Sequence, residues 1–115
     1  MTLQTEFRES IGSQFSLEAD GVERYRVCTP FICDDGDHLV IVLKREGESW
    51  LFSDEGHTMM WCSDRDSGTI SRMLSAVGVL KRNDELFTPV VEGDFGAALF
   101  EFGLALLRVM RDFRS

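Results

Sequence analysis

Seven carboxylates gather at turns in the middle of the chain: Asp34, Asp35 and Asp37 in CDDGDH, Glu46 and Glu48 in REGES, and Asp54 and Glu55 in SDEGH. Clusters of this type support two kinds of chemistry. They can hold a divalent cation for phosphate-ester hydrolysis, since Mg²⁺ takes hard oxygen ligands. They can also meet Arg and Lys forks on another protein where phosphates would otherwise lie. The surroundings favour the second. Nucleases built on paired acids present a lysine beside them within a sheet, whereas Lys44 and Arg45 read as belonging to the opposite turn. Turn formation and helix capping account for Asp35-Gly36-Asp37 and Asp54 without any reaction.

Other catalytic patterns are weaker. Ser53 and His57 are four residues apart, but no GxSxG elbow is present. No glycine-rich phosphate loop follows a strand, and basic residues do not alternate with aromatics as on a nucleic-acid platform. A zinc site would have to draw on Cys28, Cys33, Cys62, His38 and His57, yet there is no CxxC pair. Three cysteines instead fit reduced cytosolic thiols. No catalytic residue, metal ligand set or cofactor is assigned.

Charge is distributed unevenly. Residues 1–66 carry 14 Asp and Glu against 6 Lys and Arg, while residues 67–115 carry 6 of each, so the whole net charge of −8 belongs to the first half. Such a field repels phosphate backbones and attracts basic surfaces. Direct nucleic-acid binding is therefore not expected, and a basic partner protein is. A length of 115 residues and 43% hydrophobic content fit one globular domain over residues 1–115. The beginning, MTLQTEFRES, has no basic region followed by an apolar run, so a cytoplasmic location is expected.

The elements that must position the acidic turns follow from periodicity. Phe7, Ile11, Phe15 and Leu17 predict an amphipathic helix over Thr5–Leu17. Tyr25, Val27, Thr29 and Phe31 alternate as a strand within Val22–Ile32, and Pro30 points to an edge or strand-end position. A turn at residues 34–37 leads into a central strand, His38–Lys44, covered on both faces. A second turn, Arg45–Ser49, leads into a strand at Trp50–Phe52. Ser53 or Asp54 can cap a short helix through Thr58–Cys62, and Ile70, Met73, Leu74 and Val77 predict another helix ending at Gly78. Val79–Arg82 and Leu86–Val91 read as a hairpin. The last helix begins at Glu92-Gly93-Asp94 and carries Arg108, Arg111 and Arg114 towards its end, matching the macrodipole.

The fold class is therefore α+β: a three-stranded antiparallel meander and a second β-hairpin, packed with an N-terminal helix, middle helices and a long apolar C-terminal helix. That last helix has two apolar faces, one with Phe95, Leu99, Phe102, Leu106, Val109, Met110 and Phe113, the other with Phe100, Leu104 and Leu107. Glu101 and Arg108 interrupt its 16-residue apolar run, 95–110, short of the roughly 20 residues needed to span a membrane. A central place in a monomer is expected for it, ahead of a seam in a homodimer.

Four segments together resemble a family of small bacterial and phage domains of unknown function: Val27-x-Thr-Pro-Phe31, Asp35-Gly-Asp37, the strand Val40–Leu43, and Ser53-Asp-x-Gly-x-Thr58. The resemblance extends over residues 20–114. Members often carry a further C-terminal domain, so this chain is expected to be a version without it. The family implies no activity, but its phage and mobile-element setting implies a role in conflict between host and invader. The expected function is thus a small acidic protein-binding module inhibiting a CRISPR-type nucleic-acid-binding defence complex by occluding a basic surface with Asp34, Asp35, Asp37, Glu46, Glu48, Asp54 and Glu55. The alternatives are a metal-dependent hydrolase or nuclease using the acidic turns, and an accessory interaction domain that inhibits nothing.

Overall fold

Alternating strand residues and three tight turns fold the chain into one six-stranded antiparallel sheet with two α-helices, in a computed structural model that describes residues 16–28, 39–91 and 93–113. The strands are β1 (Ser16–Ala19), β2 (Arg24–Cys28), β3 (Val42–Glu46), β4 (Ser49–Ser53), β5 (Leu80–Arg82) and β6 (Glu85–Pro89). Their spatial order is β1-β2-β3-β4-β6-β5. Two 3₁₀ turns, Met59–Trp61 and Asp64–Asp66, lead into α1 (Ser67–Ser75), and α2 (Phe95–Phe113) follows β6.

The expected meander is present as β2-β3-β4, and the expected hairpin as β5-β6. The hairpin does not stand apart: β6 pairs with β4, Ser53 opposite Phe87 and Leu51 opposite Pro89, so all six strands share one sheet. Turn chemistry sets the connections. Gly47 adopts φ +64° between β3 and β4, a left-handed conformation that an L side chain would strain, and Asn83 takes φ +56° between β5 and β6.

The start of the chain departs from expectation. Ser16–Ala19 is a strand paired with β2, Leu17 opposite Val27, so the predicted helix Thr5–Leu17 does not extend over Ser16 and Leu17. The remainder of that prediction lies outside the described residues, as do Pro30 and the turn at residues 34–37. Because β1 covers β2, the sheet edges among the described residues are β1 and β5; of the two positions that Pro30 suggested, an edge strand or a strand end, the first does not apply to β2.

Residues alternate between the two faces of each strand. Leu43 lies opposite Phe52 and Tyr25, and these side chains with Leu17, Val27 and Leu86 meet Ile70, Leu74, Leu99, Phe102 and Leu106 from the helices. That is the core. Strand β3 is central, as expected, and Ile41, Val42 and Leu43 are buried. The strand runs Val42–Glu46 instead of His38–Lys44, however, and exposes Arg45 and Glu46, so it is not covered on both faces along its length. Helix α2 lies against β4, β6 and α1. It buries Phe95, Leu99, Phe102, Leu106, Val109 and Met110, as the first of its two apolar faces requires.

The second face is only partly buried: Leu107 is half-buried against the core, but the rest is open. Phe100 is 57% exposed and Leu104 47%, against the expectation of a helix enclosed within the monomer. The reason is geometric: α2 meets the sheet on one side and α1 on a flank, and no described element covers the side that remains.

Candidate functional site

The charged residues converge on the sheet face turned away from the helices. Pairing register places Arg24 and Arg26 of β2, Lys44 and Glu46 of β3 and Ser53 of β4 on that face, and Arg82 and Glu85 face each other across β5-β6. Lys44 is at the centre. Its Nζ lies 2.7 Å from Glu85 Oε2, 3.6 Å from Glu55 Oε2 and 3.8 Å from Glu46 Oε2, with only 18% of the side chain exposed. Ser53 Oγ donates to the same Glu85 oxygen at 2.5 Å. Arg82 forks onto Glu46 at 3.1 and 2.8 Å, and also reaches Glu85 at 2.8 Å. Its guanidinium carbon stands 4.9 Å from the centre of the Phe87 ring, within cation–π range. Arg24 pairs with Glu55 and Asp20, and Arg26 with Glu18 at 2.5 Å.

Electrostatics follow the contacts. Burial pushes the Glu85 carboxyl up, but hydrogen bonds from Lys44, Ser53 and Arg82 outweigh it and hold the group at about 2. The Arg82 fork holds the Glu46 carboxyl below its usual range, and Glu46 with Glu85 raises the guanidinium pKa in return. A general base works best when poised near the operating pH. Glu85 is far from that, and the Ser53 hydroxyl is buried against it. The arrangement is a clamp of matched charges joining β3, β4, β5 and β6.

Asp54 serves a different purpose. Both of its oxygens face the interior: Oδ1 accepts the backbone N–H groups of Gly56 at 2.8 Å and Leu86 at 2.9 Å, and Oδ2 accepts that of Thr58 at 3.1 Å. The expected short helix through Thr58–Cys62 is a 3₁₀ turn, Met59–Trp61, whose N-cap is Thr58 without a side-chain cap bond; Asp54 instead braces the turn ahead of it. Burial raises the Asp54 pKa, with the Leu86, Gly56 and Thr58 donors opposing that rise.

The nominated residues are accordingly dispersed. Asp54, at 0% exposure, faces inwards and is not available to a partner, which corrects its place among the surface acids. Glu46 and Glu55 are engaged by Arg82, Lys44 and Arg24. Glu48 is exposed at the β3-β4 turn. Asp34, Asp35 and Asp37 lie outside the described residues. Lys44 also corrects the sequence reading: it belongs to β3 with three carboxylates around it, not to the opposite turn. Glu85 and Arg82 were missed because their hairpin was read as separate from the meander. The available signal was the alternation Val42-x-Lys44-x-Glu46, which puts both charges on one face. Among the described residues no group of three or more His, Cys, Asp and Glu is placed to hold a metal ion.

A family model, Domain of unknown function DUF1828, matches residues 29–109. The chain belongs to that family. The match spans β3 to β6, α1 and most of α2, so the clamp on β3, β4, β5 and β6 lies within the DUF1828 region. No curated protein and no solved structure matches the chain. No helix among the described residues is long and apolar enough to cross a membrane.

Proposed function

We propose that this DUF1828 chain is a small acidic protein-binding module that engages a basic surface on another protein. One observation carries the reading: its carboxylates are unevenly neutralised. Those on the open sheet face are matched by Arg24, Arg26, Lys44 and Arg82, whereas Glu48, Asp64, Asp66 and Asp84 form no ion pair among the described residues. These four unpaired carboxylates lie at turns and at the 3₁₀ segment before α1, beside a sheet face whose own charges are largely paired. Exposed carboxylates on a rigid frame accept Arg and Lys forks at little ordering cost.

The most specific form is an inhibitor of phage or mobile-element origin that occupies the nucleic-acid-binding surface of a CRISPR-type defence complex. Competition tests it. A labelled oligonucleotide held by such a complex is displaced by the wild-type chain, with an affinity that falls as salt screens the attraction. Changing Asp34, Asp35, Asp37, Glu48 and Asp84 to Lys weakens displacement at least about tenfold and flattens the salt response. Glu46 is left intact because it holds Arg82. Equal displacement by the reversed variant refutes the electrostatic reading, and binding without displacement identifies an accessory interaction domain. The alternative, metal-dependent hydrolysis, has less support, because the Lys44 ammonium already stands among Glu46, Glu55 and Glu85, and among the described residues no group of three or more His, Cys, Asp and Glu is placed to hold a metal. It requires stoichiometric Mn²⁺ binding in a calorimetric titration, lost in Glu85→Gln.

A further inference from the structure

The surface of α2 left open by the core has a pattern that the acidic-module reading does not use. Ala97, Phe100, Glu101, Leu104 and Arg108 are exposed along one side of the helix. Beside them runs a groove of about 320 Å³ between α1 and α2, lined by Met73, Leu74, Val77, Glu101, Leu104 and Arg108. Val77, Phe100 and Leu104 are each about half exposed. Exposed apolar surface that is contiguous and rimmed by charge marks an interaction site.

Charge placement selects the occupant. Glu101 and Arg108 are seven residues apart, two turns or about 10 Å along the axis, with Leu104 and Ala105 midway. Opposite charges placed evenly about an apolar centre are self-complementary under a two-fold axis. An antiparallel partner helix puts Glu101 of each copy opposite Arg108 of the other, twice, and puts Leu104 against Ala105. Phe100 then comes level with Val109 of the other copy, one residue past Arg108, which closes the end of the groove that Met73, Leu74 and Val77 line. A parallel pairing would set like charges against each other. The exposed Arg108–Asp112 pair within the helix, at 3.7 Å, costs little to rearrange.

We propose that a second copy of this chain covers the exposed face of α2, through an antiparallel two-fold pairing centred between Leu104 and Ala105. Such an isologous contact needs both a projection and a matching recess on one surface, and Phe100 and the groove supply them.

Sedimentation velocity of the full chain over ~1–100 μM tests the proposal, because a dimer of this kind is concentration-dependent. The expected species at the upper end has twice the 13.0 kDa chain mass. Leu104→Glu gives a folded monomer by circular dichroism. Glu101→Arg alone and Arg108→Glu alone each weaken association at least about tenfold, by bringing like charges together, and the Glu101→Arg, Arg108→Glu double variant restores it. A wild-type monomer throughout the range overturns the proposal, as does a double variant no better than either single one. Neither result touches the competition assay above, which alters other carboxylates.

Discussion

Replacing Asp54 should cost more stability than replacing any other carboxylate in the chain. Its side chain accepts three backbone N–H groups, and two of these bonds, from Thr58 and Leu86, are fully buried. Asp54→Ala leaves those two donors without a partner and out of reach of water. Each such donor costs about 1–3 kcal/mol, and the partly buried Gly56 donor adds less, so a loss of about 3–5 kcal/mol is expected. Against the roughly 5–15 kcal/mol stability of a small domain this is severe. Asp54→Asn should cost less, about 1–2 kcal/mol, because one carbonyl oxygen still serves Gly56 and Leu86 while the amide faces the Thr58 donor. Urea unfolding followed by Trp50 and Trp61 fluorescence measures both. With a slope of about 1.5 kcal/mol per molar urea, the Ala variant moves its midpoint down by roughly 2 M or more. A loss below about 1 kcal/mol in Asp54→Ala would show that these donors find water or other partners, and would refute this role of Asp54.

Glu85 gives a pH test of the clamp. Its carboxyl falls from 4.5 to about 2 on folding, so its stabilising contribution is complete above about 4.5 and is lost as pH falls towards 2. Each pKa unit is worth about 1.4 kcal/mol, and allowing for partial solvation the contribution is about 2 kcal/mol. Glu85→Gln should remove that acid-sensitive part of the unfolding curve, and an unchanged pH dependence would contradict the clamp. Asp54 has the opposite sign: its raised pKa means that its own titration favours folding at low pH and less so as pH rises through the folded value. Asp54→Asn should abolish that contribution in the same titration. Phe102, fully buried, should cost about 3–5 kcal/mol on truncation to Ala, whereas Phe100→Ala should leave monomer unfolding within about 0.5 kcal/mol and act only on self-association. Gly47→Ala should cost about 1 kcal/mol through its φ of +64°, since no atom crowds the added methyl, and a neutral result in urea would show that the turn readjusts.

Local rules made much of this fold legible in the sequence. Period-two alternation around Tyr25 and Val27, the Glu-Gly-Glu turn, the 3.6-residue repeat from Ile70 to Val77 and the Asn83-Asp84 turn each act over a few residues. Each therefore reads out without knowledge of neighbours in space. The bonds of Asp54 to Gly56 and Thr58 are equally local, although they brace a turn and do not cap the expected helix. What only the tertiary structure decided involves residues far apart in the chain. Leu17 satisfies a helical repeat and a strand alternation equally well, and pairing with Val27 settles the matter. Asp54 gains its third donor from Leu86, 32 residues away, and that bond places it in the interior instead of on an acidic face. Lys44 meets Glu85 across 41 residues because β6 pairs with β4. The two apolar faces of α2 are alike in composition, and only the placement of sheet and α1 determines that Phe102 is enclosed while Phe100 and Leu104 remain open. Hydrophobic burial has no direction of its own, so composition states how much surface must be covered, and topology determines which residues are covered.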